Sequence, residues 1–257
     1  MKQIIILGSK PYAIIPGGDK IYSANGATFG NKIKKSDFTD HINVAHVYTL
    51  EKGLNWIKSN LIHKQKLKAI INSGFERLVL FTSANDASST LSVKNYLTHS
   101  NIKEIEVLTF YDQRILVRKI GKCGYPIIGK YFFLQMPKNI INDGLKIVKA
   151  LFSWKFGKGY IDVYSRYRPS TGILALLVAI NENGPSAKYV LCGIGTKNRN
   201  QFLVQNRIYF NNIKINDAST EHSDADIYLL SKLRHHFNLL TTEKELFHIL
   251  PEYETEF

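Results

Sequence analysis

The run "QIIILG", residues 3–8, holds four consecutive aliphatic residues closed by Gly8. A strand built from it is apolar on both faces. That is the pattern of a strand in a parallel sheet covered by helices on two sides, not of a half-exposed antiparallel strand. Further runs on either scale follow along the chain. "KIYSAN" (20–25) and "AHVYTL" (45–50) read as the next two strands, and "EKGLNWIKSNLIHKQKLKAI" (51–70) as a helix with Leu54, Ile57 and Leu61 on one stripe. Strand "RLVLFTS" (77–83), helix "DASSTLSVKNYLTHS" (86–100) and strand "EIEVLTFY" (104–111) come next. A stretch rich in Tyr, Phe, Gly and Pro runs from Gly121 to about Tyr167. It is followed by helix "TGILALLVAINENG" (171–184), strand "KYVLCGIG" (188–195), an Asn-rich segment, a helix after His222 and strand "NLLTT" (238–242).

Alternation of strands and helices predicts an α/β fold: a Rossmann-like, doubly wound, mostly parallel sheet in one domain spanning 1–257. Sheets of this kind bind ligands beyond the carboxyl ends of their strands. The residues to watch are therefore Gly8 and Ser9, Asn25 and Gly26, Thr49, and the span from Gly193 to Arg199.

Composition narrows the class. The 257 residues are 44% hydrophobic and carry a net charge of +13, from 34 Lys and Arg against 21 Asp and Glu. Such a surplus attracts anions: nucleotide, anionic sugar, acidic membrane or nucleic acid. The basic residues are scattered (Lys32, Lys34, Lys35; Lys64, Lys66, Lys68; Arg118, Lys119, Lys122) instead of forming one block, the pattern of a solvated surface. Two cysteines, Cys123 and Cys192, cannot build a disulfide framework. The longest clean apolar run, "ILALLVAI", is too short to span a bilayer. A cytoplasmic protein is expected, with peripheral contact to the inner membrane face through its basic surface.

Several motifs carry alternative readings. "LGSKPYAIIPGG" is a glycine-containing turn but neither G-x-G-x-x-G nor a P-loop, so a standard dinucleotide site is not expected. Asn25-Gly26 is a tight-turn dipeptide or an amide placed for a sugar or base. In "YRPSTGILALLVAI", Thr171 is a candidate N-cap, and Arg168 adds a cation beside a helix N-terminus that is itself an anion site. "GIGTKNRNQ" places Lys197 and Arg199 in a loop leaving a central strand. In "TEHSDADIYLLSKL" (220–233), Ser223 with Asp226 reads as a capping box, and His222 is either the residue before a cap or a general base. The positive helix end there would favour the neutral imidazole that a base needs. Asp224-Ala-Asp226 spells the D-x-D of metal-using glycosyltransferases, or is capping chemistry.

Four segments in order resemble the bacterial sialyltransferases of glycosyltransferase family 42: "IIILGSKP", the Asn25 turn, Arg168-Pro-Ser-Thr171-Gly172 with its apolar helix and "YVLCGI", and His222-Ser223 with Asp226-Ile227. The resemblance implies a nucleotide-binding fold of the glycosyltransferase A type with a small lid at 196–221. It also implies inverting transfer of a sialic or related nonulosonic acid from a CMP-sugar to a surface glycan or glycolipid, with no metal and no cofactor beyond the donor. His222 would be the general base with Arg168 beside it. Gly8, Ser9, Asn25, Gly26, Thr49, Thr171, Gly172 and Gly193 would line the donor. The family's phosphate-binding tyrosines correspond to Lys197 and Leu203, so Lys197, Arg199 or Tyr209 would meet the leaving group. The third family asparagine corresponds to Thr49, and Ser9 stands where the family has asparagine. Nucleic acid is not an expected partner. The rival readings are a non-catalytic anion-binding module and a metal-dependent transferase using Asp224 and Asp226.

Overall fold

A computed structural model describes residues 1–10, 12–31, 33–54, 61–82, 87–98, 100, 102–125, 127, 168–195 and 222–254. Their strands are β1 (Gln3–Leu7), β2 (Lys20–Ala24), β3 (Asp40–His46), β4 (Arg77–Thr82), β5 (Glu104–Thr109), β6 (Lys188–Cys192) and β7 (Asn238–Thr241). Their helices are α1 (Ala27–Gly30), α2 (Val47–Leu54), α3 (Leu61–Asn72), α4 (Ala87–Leu97), α5 (Phe110–Lys119), α6 (Thr171–Asn183) and α7 (Ser223–Leu233). The seven strands form one sheet in the order β5-β4-β3-β2-β1-β6-β7, with every neighbouring pair parallel. The chain winds outward from β1 to β5, then crosses back to place β6 on the other side of β1. The topological switch therefore falls between β1 and β6.

The aliphatic run of β1 serves two cores, as its lack of polar residues requires. Ile4 and Ile6 pack with α6, α7 and the end of α5; Ile5 and Leu7 pack on the opposite face with Ala27 of α1 and Val190 and Cys192 of β6. A third cluster, built on α2, α3 and α4, covers the same face further along the sheet. Helices on both faces make the sheet doubly wound.

Helix α6 is the centrepiece. Every residue from Gly172 to Ile180 is buried, and the helix packs on β1, β2, β3 and α5. Each of its leucines contributes roughly 1.5–3 kcal/mol by leaving water. Its C-terminal end is fastened at the amino end of the sheet. Tyr22 Oη donates to Glu182 Oε2 at 2.7 Å, Asn183 Nδ2 donates to Tyr22 Oη at 3.0 Å, and Lys2 Nζ donates to Asn183 Oδ1 at 3.1 Å. Its N-terminus accordingly stands over the carboxyl ends of the strands, where an open α/β sheet binds ligands.

Three elements differ from the sequence reading. The run 51–70 is not one helix: α2 ends at Leu54 and α3 begins at Leu61, the two packing on each other. The third strand is Asp40–His46, and "AHVYTL" lies mostly in α2, so Thr49 is a helical residue and not the residue after a strand. Helix α5 follows β5 without a break, started by Thr109: its hydroxyl accepts Asp112 N at 3.2 Å while Asp112 Oδ2 accepts Thr109 N at 2.7 Å. Among the described residues no helix is long and apolar enough to cross a membrane.

Candidate functional site

Two helix N-termini meet at the carboxyl end of the sheet. Asp226, in the first turn of α7 and fully buried, accepts the backbone N–H of Ser170 at 2.8 Å; Ser170 is the N-cap of α6, its Oγ accepting Ile173 N at 3.4 Å. The carboxylate thus lies beside two positive helix ends, which compensate its burial. This replaces the capping box expected at Ser223. Helix α7 begins at Ser223, His222 occupies the cap position without a side-chain cap bond, and Asp226 reaches across to the other helix. Likewise the cap of α6 is Ser170, not Thr171, which is the first helical residue. Within the Asp224-Ala-Asp226 pair, Asp226 is fully buried and accepts from Ser170.

Freed from capping, His222 turns its Nδ1 to the backbone carbonyl oxygen of Arg168 at 3.0 Å. A carbonyl only accepts, so Nδ1 is the protonated nitrogen and the lone pair of the neutral ring sits on Nε2. That tautomer, with the lone pair on Nε2, is the form in which an imidazole can accept a proton. The Asp226–Ser170 bond fixes the segment that supplies that carbonyl, since Arg168 is two residues before Ser170. The Arg168 side chain is half-buried, and its Nε is buried with no hydrogen-bond partner among the described residues.

His46, the last residue of β3, joins this group. Burial of its ring, reinforced by the nearby charges of Arg168, His222 and Lys66, lowers its pKa to about 3, so it is neutral at physiological pH. Its ring lies 5.9 Å from that of Phe81 on the neighbouring strand. Burial also lowers Lys66. Burial pushes the Tyr125 hydroxyl well above its ordinary range, with the charges of Arg168 and Arg114 acting against the shift; Gln113 Nε2 donates to that hydroxyl at 3.3 Å. His46 and Tyr125 are site neighbours that sequence reasoning missed. The signal for His46 was its place at a strand end, hidden when β3 was read five residues too late.

The switch-point crevice is closed by main chain. Gly8 N donates to Cys192 O at 2.8 Å and Lys10 N to Gly193 O at 3.0 Å. A Cβ on Gly8 would stand 2.3 Å from Gly193 O, so only glycine fits. Gly193, with φ of 65°, donates its N–H to Glu243 Oε1 at 2.7 Å, and Lys10 Nζ pairs with Glu243 Oε2 at 2.6 Å. Gly8 and Gly193 therefore have a structural duty at the floor of the crevice, and half-buried Ser9 stands on its rim.

Asn25 and Gly26 both take left-handed backbone, with φ of 52° and 75°. A Cβ on Gly26 would lie 2.7 Å from the backbone of Ala69 in α3, and Gly26 N donates to Asn43 Oδ1 at 3.0 Å. The turn reading of this pair is thus sufficient for Gly26. Asn25 keeps a buried Oδ1 with no hydrogen-bond partner among the described residues. Thr49 sits on α2, one turn along from His46. Gly172 is the second residue of α6, where a Cβ would meet the Ile194 side chain at 3.4 Å. Lys197, Arg199, Tyr209 and the expected lid at 196–221 lie outside the described residues. The structure thus brings together His222, Arg168, the N-terminus of α6 with Thr171 and Gly172, and His46. Compared with known proteins, the chain matches no family model, no curated protein and no solved structure.

Proposed function

We propose that the chain is an inverting, metal-independent glycosyltransferase of the A-type fold, moving a sialic or related nonulosonic acid from a CMP-sugar to a hydroxyl of a bacterial surface glycan or glycolipid, at the cytoplasmic side of the inner membrane. The observation that carries this reading is His222 Nδ1 held on the Arg168 carbonyl at 3.0 Å, beside the N-terminus of α6. His222 Nε2 takes the proton of the acceptor hydroxyl as its oxygen attacks the anomeric carbon, and CMP leaves with the bonding electrons. Thr171 and the N–H groups near Gly172 face the donor's carboxylate or phosphate. Arg168 adds positive charge, and Ser9, Asn25 and Thr49 line the nucleotide side. Lys197, Arg199 and Tyr209 serve the leaving phosphate, where cationic donors are worth most as charge develops. The engagement of Asp226 by Ser170 favours this reading over the metal-dependent rival.

The test is thermal stabilisation and hydrolysis across a donor panel. A ligand at 100 times its Kd stabilises by roughly 2.7 kcal/mol. CMP and CMP-activated acidic sugars should raise Tm, while UDP and GDP, with or without manganese, should raise it far less. Larger shifts with UDP and manganese would sink the proposal.

A further inference from the structure

Four exposed aromatic side chains stand along one rim of the molecule; a fifth, Tyr96, 48% exposed, lies outside it near the C-terminal end of α4. Tyr12 is 83% exposed, Tyr111 60%, Tyr48 54% and Phe29 49%. Each stands just beyond the carboxyl end of a strand: Tyr12 after β1, Phe29 in α1 after β2, Tyr48 as the second residue of α2 after β3, and Tyr111 as the second residue of α5 after β5. In the order β5-β4-β3-β2-β1 they follow one another along a single edge. Four strand spacings of ~4.8 Å make that edge about 19 Å long. Ile14, 62% exposed, extends the row beyond Tyr12.

The row is held out by built structure. Ala13 and Ile15 pack inward against the β1 and β2 core, which turns Tyr12 and Ile14 outward. Ala13 N donates to Asn31 Oδ1 at 3.1 Å, and Thr242 Oγ1 donates to Ile14 O at 3.0 Å. Tyr12 keeps a φ of 56°, a left-handed conformation that a bulky side chain rarely adopts. Lys52 lies 5.3 Å over the Tyr48 ring, and Lys34 is exposed just beyond α1.

We propose that this aromatic rim docks the chain on an anionic lipid bilayer, with the carboxyl face of the sheet turned to the headgroups. Tyrosine rings are amphipathic and settle at the membrane–water boundary. Ile14 has no π face for stacking on a nucleobase and gains instead from an apolar surface. The net charge of +13 complements anionic headgroups. The rim borders the site described above, so a lipid-borne ligand would arrive at it from the bilayer. The docking surface does not depend on the proposed chemistry, and its test uses no sugar nucleotide.

The test is co-sedimentation of the full chain with vesicles of phosphatidylcholine alone and of phosphatidylcholine mixed with phosphatidylglycerol, beside a single-stranded oligonucleotide arm. Binding should be confined to the anionic vesicles. Tyr12→Ser with Ile14→Ser, and separately Phe29→Ser with Tyr111→Ser, should each weaken it about tenfold or more, the scale of losing interfacial aromatic and apolar area. Tyr12→Phe should retain it. In Tyr12→Trp, fluorescence in excess of the wild type should be quenched by brominated lipid. Folded double variants that bind as the wild type does would reduce the contact to charge alone and overturn the proposal. So would binding of the oligonucleotide without binding of vesicles.

Discussion

Asp226 and Ser170, 56 residues apart, join the first turns of α7 and α6 through a 2.8 Å bond from the Ser170 N–H to a fully buried carboxylate. Asp226→Ala leaves that donor unsatisfied and should cost about 1–3 kcal/mol in chemical denaturation. It should also slow any reaction that depends on His222, because the Arg168 carbonyl loses its fixed position. Asp226→Asn keeps an acceptor and should cost less. Ser223→Ala, at a residue that caps nothing, should stay within about 0.5 kcal/mol of the wild type. A larger loss for Ser223 than for Asp226 would restore the capping-box account.

His222→Ala should keep its circular dichroism spectrum and its CMP affinity and lose transfer by ~10²–10⁴-fold, the usual contribution of a positioned base. Single-turnover transfer to an acceptor glycan reads this directly. A folded variant with wild-type transfer would leave His222 as a structural tie to Arg168 only.

His46 makes the fold sensitive to acid. Its pKa is about 3 when folded against an ordinary 6.5, so the unfolded chain takes up the proton first as pH falls. Its contribution is complete above pH 6.5 and is lost as pH drops toward 3. The slope is at most about 1.4 kcal/mol per pH unit for one proton. His46→Gln should flatten the dependence of unfolding free energy on pH in that window. An unchanged slope would mean that another group governs acid unfolding.

Gly8→Ala places a methyl 2.3 Å from the Gly193 carbonyl oxygen and should destabilise by about 1–3 kcal/mol or more, because backbone must move on both sides of the switch point. Gly17→Ala, with nothing within 4 Å of the new atom, should be near neutral. Equal Tm values for the two variants would contradict the close approach of the β1 and β6 ends.

Periodicity made β1, α6 and β6 readable, because residues buried on all sides leave no polar interruption. Strand β3 was obscured by the same logic in reverse. His41 and Asn43 are buried polar residues, so "DHINV" looks like loop, while the aromatic and β-branched "HVYT" just after it looks like strand. Helix α5 was missed because its Thr109–Asp112 capping box is set inside an aromatic run. The tie between His222 and Arg168 spans 54 residues and the one between Asp226 and Ser170 spans 56, and no local pattern encodes a partner at that distance. The rule that such sheets bind ligands beyond their strand carboxyl ends pointed to the end of the sheet where His222 and Arg168 meet; the contacts of Ser170 and Asp226 came only from packing.

The strand order also sets a timetable for folding. β1 pairs with β2 on one edge and with β6 on the other, so that second edge stays open until residues 188–192 have been synthesised. An open, aliphatic central strand is a template for pairing with other chains. The ion pair between Lys10 and Glu243 closes a loop of 233 residues and can form only at the end. The β1–β5 half can assemble first, while closure around β6 and β7 is non-local and slow. Misassembly during expression should therefore trace to the wait at β1, and chaperones or lowered temperature should raise the yield of folded chain more than changes at the site.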